Sequence, residues 1–114
     1  MHEMSLALSI VDLVCSRAAA EGAGTINQVE VEVGSLAGVL VDALAFCYDA
    51  AARDTPAAAA DLKIIPVQAK GRCLSCQDVF VLESFFTPCP ACGTYEVEII
   101  QGRDLKVVSI VIDE

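Results

Sequence analysis

Two cysteine pairs constrain this chain more than any other feature. Cys73-Leu-Ser-Cys76 is followed, after twelve residues, by Cys89-Pro-Ala-Cys92. Each Cys-x-x-Cys can wrap two thiolates around one ion in a tight turn. Two such turns supply the four sulfurs that a tetrahedral Zn²⁺ site takes. Gly93 directly after Cys92 admits the unusual backbone angles of such a turn. The flanking residues alternate as in β-hairpins: Val79 and Val81 against Phe80, then Tyr95, Val97 and Ile99 against Glu96 and Glu98. The pattern predicts a zinc ribbon. Four protein sulfurs leave no open coordination position, so the metal is expected to be structural and to supply the module's folding energy. A thiol oxidoreductase is the rival reading of Cys89-Pro-Ala-Cys92, but it needs no matching second pair.

The rest of the chain has a different texture. Ser5 to Glu21 reads as an amphipathic helix with Leu6, Ile10, Leu13, Val14 and Arg17 on one stripe, Ser5 as its cap and Gly22 at its end. Ile26 to Val33 reads as a strand, with Val29, Val31 and Val33 alternating against Gln28, Glu30 and Glu32 on a wet face. Val41 to Arg53 reads as a second helix, its stripe running through Leu40, Leu44, Cys47, Tyr48 and Ala51. Thr55-Pro56 suits the start of one further helical turn. Leu62 to Val67 is a short strand that Pro66 confines to an edge or a strand end. Leu105 to Ile112 is rich in β-branched residues and apolar on both faces, which predicts a buried strand. Cys15 and Cys47 fall on or near helix faces and read as small buried hydrophobes.

The simplest architecture is an α+β fold with an insertion. Residues 1–68 plus 104–114 form two helices on a small, mixed sheet of about three strands, and residues 69–103 form the zinc-ribbon domain set into it.

Composition restricts the partners. Among 114 residues, 7 Lys and Arg stand against 16 Asp and Glu, a net charge of −9. Such a chain repels phosphate backbones and anionic membrane surfaces, so neither nucleic acid nor membrane is an expected partner. The ribbon segment is itself net −1 before its thiolates are counted. Hydrophobic residues make up 55% of the chain, yet aromatics are only 5% and Trp is absent, so the core must come from Ala, Val, Ile and Leu. No basic n-region precedes an apolar segment at the N-terminus, and no apolar run approaches a membrane span of about 20 residues. The expectation is a soluble, cytoplasmic protein, where cysteines are free thiols or metal ligands.

His2 is the single histidine. It reads either as a frayed terminal residue or as a chelator. In the second case its imidazole, the Met1 α-amine and the backbone amide between them close fused rings in a plane. Glu3 could add a backbone or carboxylate donor. Planar, nitrogen-rich sites suit Ni²⁺ or Cu²⁺.

Together these pieces resemble the HypA/HybF family, the nickel-insertion accessory proteins of NiFe-hydrogenase maturation. The resemblance rests on Met1-His2-Glu3 with Ser5-Leu6, on Val33-Gly34-Ser35-Leu36-Ala37-Gly38-Val39, and on Leu44-Ala45-Phe46. The two cysteine pairs and Gly102-Arg103-Asp104-Leu105 complete it, and it runs over essentially the whole chain. It implies a nickel-binding α/β domain with a zinc domain set into it. It implies that His2 is a nickel ligand, with the Met1 amine, nearby backbone amides and Glu3 contributing. It further implies structural zinc on Cys73, Cys76, Cys89 and Cys92, and delivery of nickel to the hydrogenase large subunit together with the GTPase HypB. Members of the family are metallochaperones, not enzymes. Two departures stand out: this chain lacks the extra histidines that some relatives carry near the zinc site, and Ser35 stands where relatives often have an acidic residue.

A transient cargo suits a chain terminus, which opens at low cost, better than four thiolates that hold too firmly. Protonation of a histidine ligand near its ordinary pKa of about 6.5 would then favour release. A zinc-ribbon adaptor that binds no transient metal is the alternative reading. Exchange of the Pro66 strand and the final strand between two copies leaves a homodimer open.

Overall fold

The computed structural model describes residues 2–113. Its elements are α1 (His2–Ala20), β1 (Thr25–Gly34), α2 (Val41–Ala52), β2 (Asp61–Val67), β3 (Lys70–Cys73), β4 (Val79–Val81), β5 (Val97–Gln101) and β6 (Leu105–Asp113). The strands form two three-stranded sheets, ordered β2-β1-β6 and β4-β3-β5. The fold is the α+β arrangement of two helices on a small sheet with a cysteine-bearing ribbon. The chain divides into two compact units. One comprises the chain up to Val31, Val39–Ile65 and the segment from Lys106 onward; the other comprises Glu32–Gly38 and Pro66–Leu105.

In the helical unit α1 packs against α2. Helix α1 begins three residues earlier than its sequence suggests, so Ser5 lies inside it rather than capping it. Its buried stripe is Glu3, Ala7, Ile10, Val11, Val14 and Ala18. That stripe is turned away from the expected one: Leu13 and Leu8 are exposed while Ala7 and Ala18 are buried. Two of the six buried positions are alanines, so residue volume does not select this face. The helix ends in a Schellman motif. Ala23 N–H bonds the Ala18 carbonyl at 2.9 Å, Gly22 N–H bonds that of Ala19 at 3.1 Å, and Gly22 takes φ +73°.

Helix α2 buries Leu44, Cys47, Tyr48 and Ala52, close to the predicted stripe. Strand β1 buries Val29, Val31 and Val33 as its alternation requires, with Ile26 as well. Burial of each such branched side chain contributes about 1.5–3 kcal/mol. Residues 55–60 form turns in place of the expected helical turn. Thr55 Oγ1 accepts the Ala57 N–H at 3.1 Å and donates to the Ala52 carbonyl at 2.6 Å, which ties this loop to the end of α2.

Strand β6 departs from expectation. It is an edge strand with no fully buried residue, and Val108 and Val111 are exposed. A three-stranded sheet has one central strand, and that place belongs to β1. Pro66, in contrast, sits on edge strand β2, where its missing N–H breaks no ladder. Glu30 on β1 is not simply solvated. It accepts a hydrogen bond from Ser109 Oγ on β6 and lies 3.7 Å from Lys63 Nζ on β2, which ties the three strands together.

In the ribbon unit β3 pairs antiparallel with β4, Gly71 facing Phe80, and with β5, Cys73 facing Val97. The Gly34-Ser35 segment closes the base of this unit. Gly34 N–H bonds the Asp104 carbonyl, Ser35 N–H that of Val67, and Leu36 N–H that of Gly102, all within 2.9 Å. A Cβ on Gly34 would lie 2.1 Å from the Gly102 carbonyl oxygen, so only glycine permits this crossing.

Candidate metal centres

The two Cys-x-x-Cys turns are built alike. In the first, Gln77 N–H bonds the Cys73 carbonyl at 3.0 Å and Cys73 N–H bonds the Asp78 carbonyl at 2.8 Å. In the second, Gly93 N–H bonds the Cys89 carbonyl at 2.8 Å and Cys89 N–H bonds the Thr94 carbonyl at 2.9 Å. Gln77 and Gly93 occupy the same place and both adopt positive φ, +66° and +78°. Glycine at 93 announces this conformation in the sequence. Gln77 gives no such sign and holds a backbone that costs an ordinary residue about 1–2 kcal/mol.

The folded turns bring all four Sγ atoms within 4.8 Å of one another. Cys73 and Cys92 are 3.5 Å apart, and Cys76 and Cys89 3.6 Å. A tetrahedron with metal–sulfur bonds of about 2.3 Å has an edge of about 3.8 Å. The four thiols therefore stand at nearly the spacing that a tetrahedral, thiolate-loving ion requires. Cys73 and Cys89 are buried, while Cys76 and Cys92 are exposed.

Backbone dipoles prepare the cluster for charge. Cys73 Sγ accepts the Cys76 and Ser75 N–H groups, both at 3.4 Å, and these bonds pull its pKa down to about 6. The Asp78 N–H acts on Cys76 in the same direction, but the neighbouring Cys73 and Cys89 outweigh it and push Cys76 up to about 12. Cys92 is likewise raised, its Thr94 N–H opposed by Cys73. One negative charge is thus readily held on Cys73, and further ones repel it. A divalent cation would remove that repulsion and displace the remaining protons. Among the described residues this is the one group of three or more His, Cys, Asp or Glu side chains arranged for a metal.

The second predicted site lies at the other end of the chain. Met1 falls outside the described residues. His2 is the first residue of α1 and is exposed. The leading N–H groups of a helix have no carbonyl one turn earlier, so the backbone nitrogens of this turn stand ahead of the helical ladder. Glu3, beside it, is buried, only 8% exposed. Its Oε2 accepts the backbone N–H of Leu40 at 3.1 Å. That bond, followed by one from its own N–H, lowers the Glu3 pKa. Sequence pattern offered no sign of the Glu3–Leu40 pairing, since 37 residues separate the two.

Other expected positions resolve plainly. Ser35, where the resemblance leads one to expect an acidic residue, accepts the Ala69 N–H on its Oγ at 3.0 Å and so belongs to the base of the ribbon. Cys47 is buried and Cys15 half-buried. Within the described residues no helix is long and apolar enough to cross a membrane.

Comparison with known proteins converges on one family. Residues 1–112 match the family described as "Hydrogenase/urease nickel incorporation, metallochaperone, hypA". The hydrogenase maturation factor HypA of Chlorobaculum parvum is 45% identical over 113 residues, which cover 99% of this chain and all of that protein. The protein of the same name from Chlorobaculum tepidum is 46% identical over the same shares. The solution structure of the Ni metallochaperone HypA from Helicobacter pylori superposes with a TM-score of 0.72 at 21% identity, covering 96% of each chain. A second HypA solution structure gives 0.75 at 23% identity over 98% of this chain and 96% of the other, so both support the fold.

Proposed function

The chain belongs to the HypA family of nickel-incorporation metallochaperones for hydrogenase maturation, and from that premise we propose that it binds Ni(II) at its N-terminus and delivers it to the hydrogenase large subunit. The observation that carries this reading is the family match over residues 1–112, which includes the Met1-His2-Glu3 start. A metallochaperone carries its metal as cargo and performs no catalysis.

The nickel site comprises Met1, His2 and Glu3. The Met1 amine, the His2 amide nitrogen and the His2 imidazole close two fused rings, and the Glu3 backbone contributes beside them. Two features support this assignment. His2 is exposed at the first position of α1. The backbone nitrogens of that turn are not committed to the helical ladder, so chelation would cost the helix none of its own hydrogen bonds.

Cys73, Cys76, Cys89 and Cys92 would hold zinc, and the sulfur spacing supports that identity. With four thiolates the ion supplies folding energy and no open coordination position. The nickel-binding domain is residues 1–68 plus 104–114 and the zinc domain is residues 69–103. The GTPase HypB is the proposed working partner, in the cytoplasm, and a homodimer is compatible with the edge strands.

Nickel titration of the tag-free protein by calorimetry, with zinc measured in parallel, tests the proposal. His2→Ala, or an extension that blocks the α-amine, is expected to abolish nickel uptake and leave about one zinc per chain. Unchanged nickel affinity in the His2 variant would sink it.

A further inference from the structure

Glu3 is the one charged residue buried among the described residues. Acidic side chains are almost never buried without a partner, and its partner is unusual. The carboxylate leaves its own helix and accepts the N–H of Leu40, the residue that caps α2. Leu40 has no side chain able to accept, so the residue at the cap position makes no side-chain cap bond of its own. Leu40 is also extended, at φ −83° and ψ 109°, with its carbonyl accepting the Leu44 N–H at 2.9 Å. Glu3 therefore serves α2 as a cap borrowed from another helix, with a negative charge at the positive end of the helix dipole.

The same bond has a consequence for α1. The first turn of a helix lacks the carbonyl partners that hold the later turns, so it is the turn most easily lost. Here the first turn is pinned at its second helical residue to the beginning of α2. Whatever His2 and the backbone nitrogens of that turn bind, they bind from a fixed support.

We propose that Glu3 is a positioning residue for nickel: its carboxylate stays on the Leu40 N–H and fixes the first turn of α1 against the start of α2, while nitrogen atoms of that turn chelate the metal. This rests on the N-terminal nickel site proposed above. It assigns the Glu3 side chain a task distinct from that of a ligand.

The two roles separate with two variants. Glu3→Gln keeps an oxygen that can accept the Leu40 N–H but removes the carboxylate as an anionic donor. Glu3→Ala removes the acceptor altogether. Nickel titration is run on wild type and both variants, with the absorption spectrum of the bound nickel and the hydrogen exchange of the Leu40 amide recorded for each. The expected result for Glu3→Gln is near-wild-type nickel affinity, an unchanged spectrum and a protected Leu40 amide. The expected result for Glu3→Ala is an unprotected Leu40 amide and nickel binding weakened about fivefold, the factor that loss of one ordinary helix cap carries.

Loss of nickel binding in Glu3→Gln while Leu40 stays protected would overturn the proposal and make the carboxylate a ligand. Unchanged affinity in Glu3→Ala would overturn it from the other side. Both results leave the N-terminal nickel site standing. A wild-type chain that takes up no nickel, or a His2→Ala chain that binds it normally, would instead remove the function and this proposal together. If Glu3→Ala does not fold, the Glu3→Gln arm decides alone.

Discussion

The two units reach a folded state by different means. The helical unit buries Ala7, Ile10, Val11, Val14 and Ala18 of α1, Leu44, Cys47, Tyr48 and Ala52 of α2, and Ile26, Val29 and Val31 of β1. That is an ordinary apolar core. In the ribbon unit the buried hydrophobic residues are Val33, Ala69, Cys73, Leu82 and Cys89, and two of these five are thiols of the cysteine cluster. Leu74, Phe85, Phe86 and Tyr95 of the same unit are exposed. A unit with so little apolar burial needs another source of cohesion, and four convergent thiolates are a place for it. The contrast extends to the proposed metals: one is structural and the other is cargo. An ion that holds a unit together must not leave, and an ion that is delivered must.

The sharpest way to break this contrast is to remove one sulfur. Cys76→Ser is expected to abolish zinc binding and unfold the ribbon, since four-thiolate zinc contributes on the order of 10 kcal/mol to folding. The helical signal of α1 and α2 and nickel uptake should persist. Zinc stoichiometry, circular dichroism and nickel titration on one sample check it, and a folded, metal-free ribbon would erase the distinction between the units.

A smaller effect is expected at the base of the ribbon. Gly102 has φ +83°, and a Cβ there would meet the Ala69 Cα at 2.3 Å. Gly102→Ala should destabilise the ribbon by about 3 kcal/mol through backbone strain and overpacking. The expected readout is faster loss of zinc to a chelator. An unchanged rate would mean that the metal alone, without this crossing, holds the unit.

The smallest effect lies in the helical unit. Tyr48 is fully buried on α2, and its hydroxyl has no hydrogen-bond partner among the described residues. Burial pushes its pKa up to about 12, so it stays a neutral phenol throughout the working range. Tyr48→Phe removes an uncompensated polar group and should stabilise this unit by about 1 kcal/mol in urea unfolding. Zinc affinity should not move, because the gain belongs to apolar packing alone.

Much of this could be read along the chain. The cysteine spacing located the cluster, Val29, Val31 and Val33 announced the buried face of β1, and the α2 stripe was nearly correct. These signals are local: a tight turn, a period of two and a period of 3.6 leave their marks within a few residues. Gln77 was missed because its positive φ is imposed by the turn it shares with Cys73, whereas glycine reveals the same geometry at Gly93. The α1 stripe differs from the sequence expectation because several apolar residues, Leu8 and Leu13 among them, compete for the buried face, and residue size does not choose between them. Strand β6 was expected to be buried because its composition suits a central strand, yet the number of strands in a sheet is not written in any one of them.

By itself, then, the sequence determined the two cysteine turns, the helices, the principal strands and the family. Tertiary structure alone decided the Glu3 bond to Leu40, the crossing of Gly34 with Gly102, and the place of β6 at an edge. Each of these joins segments far apart in the chain. Such contacts depend on which surfaces meet after the elements have formed, and no local period or propensity records that meeting.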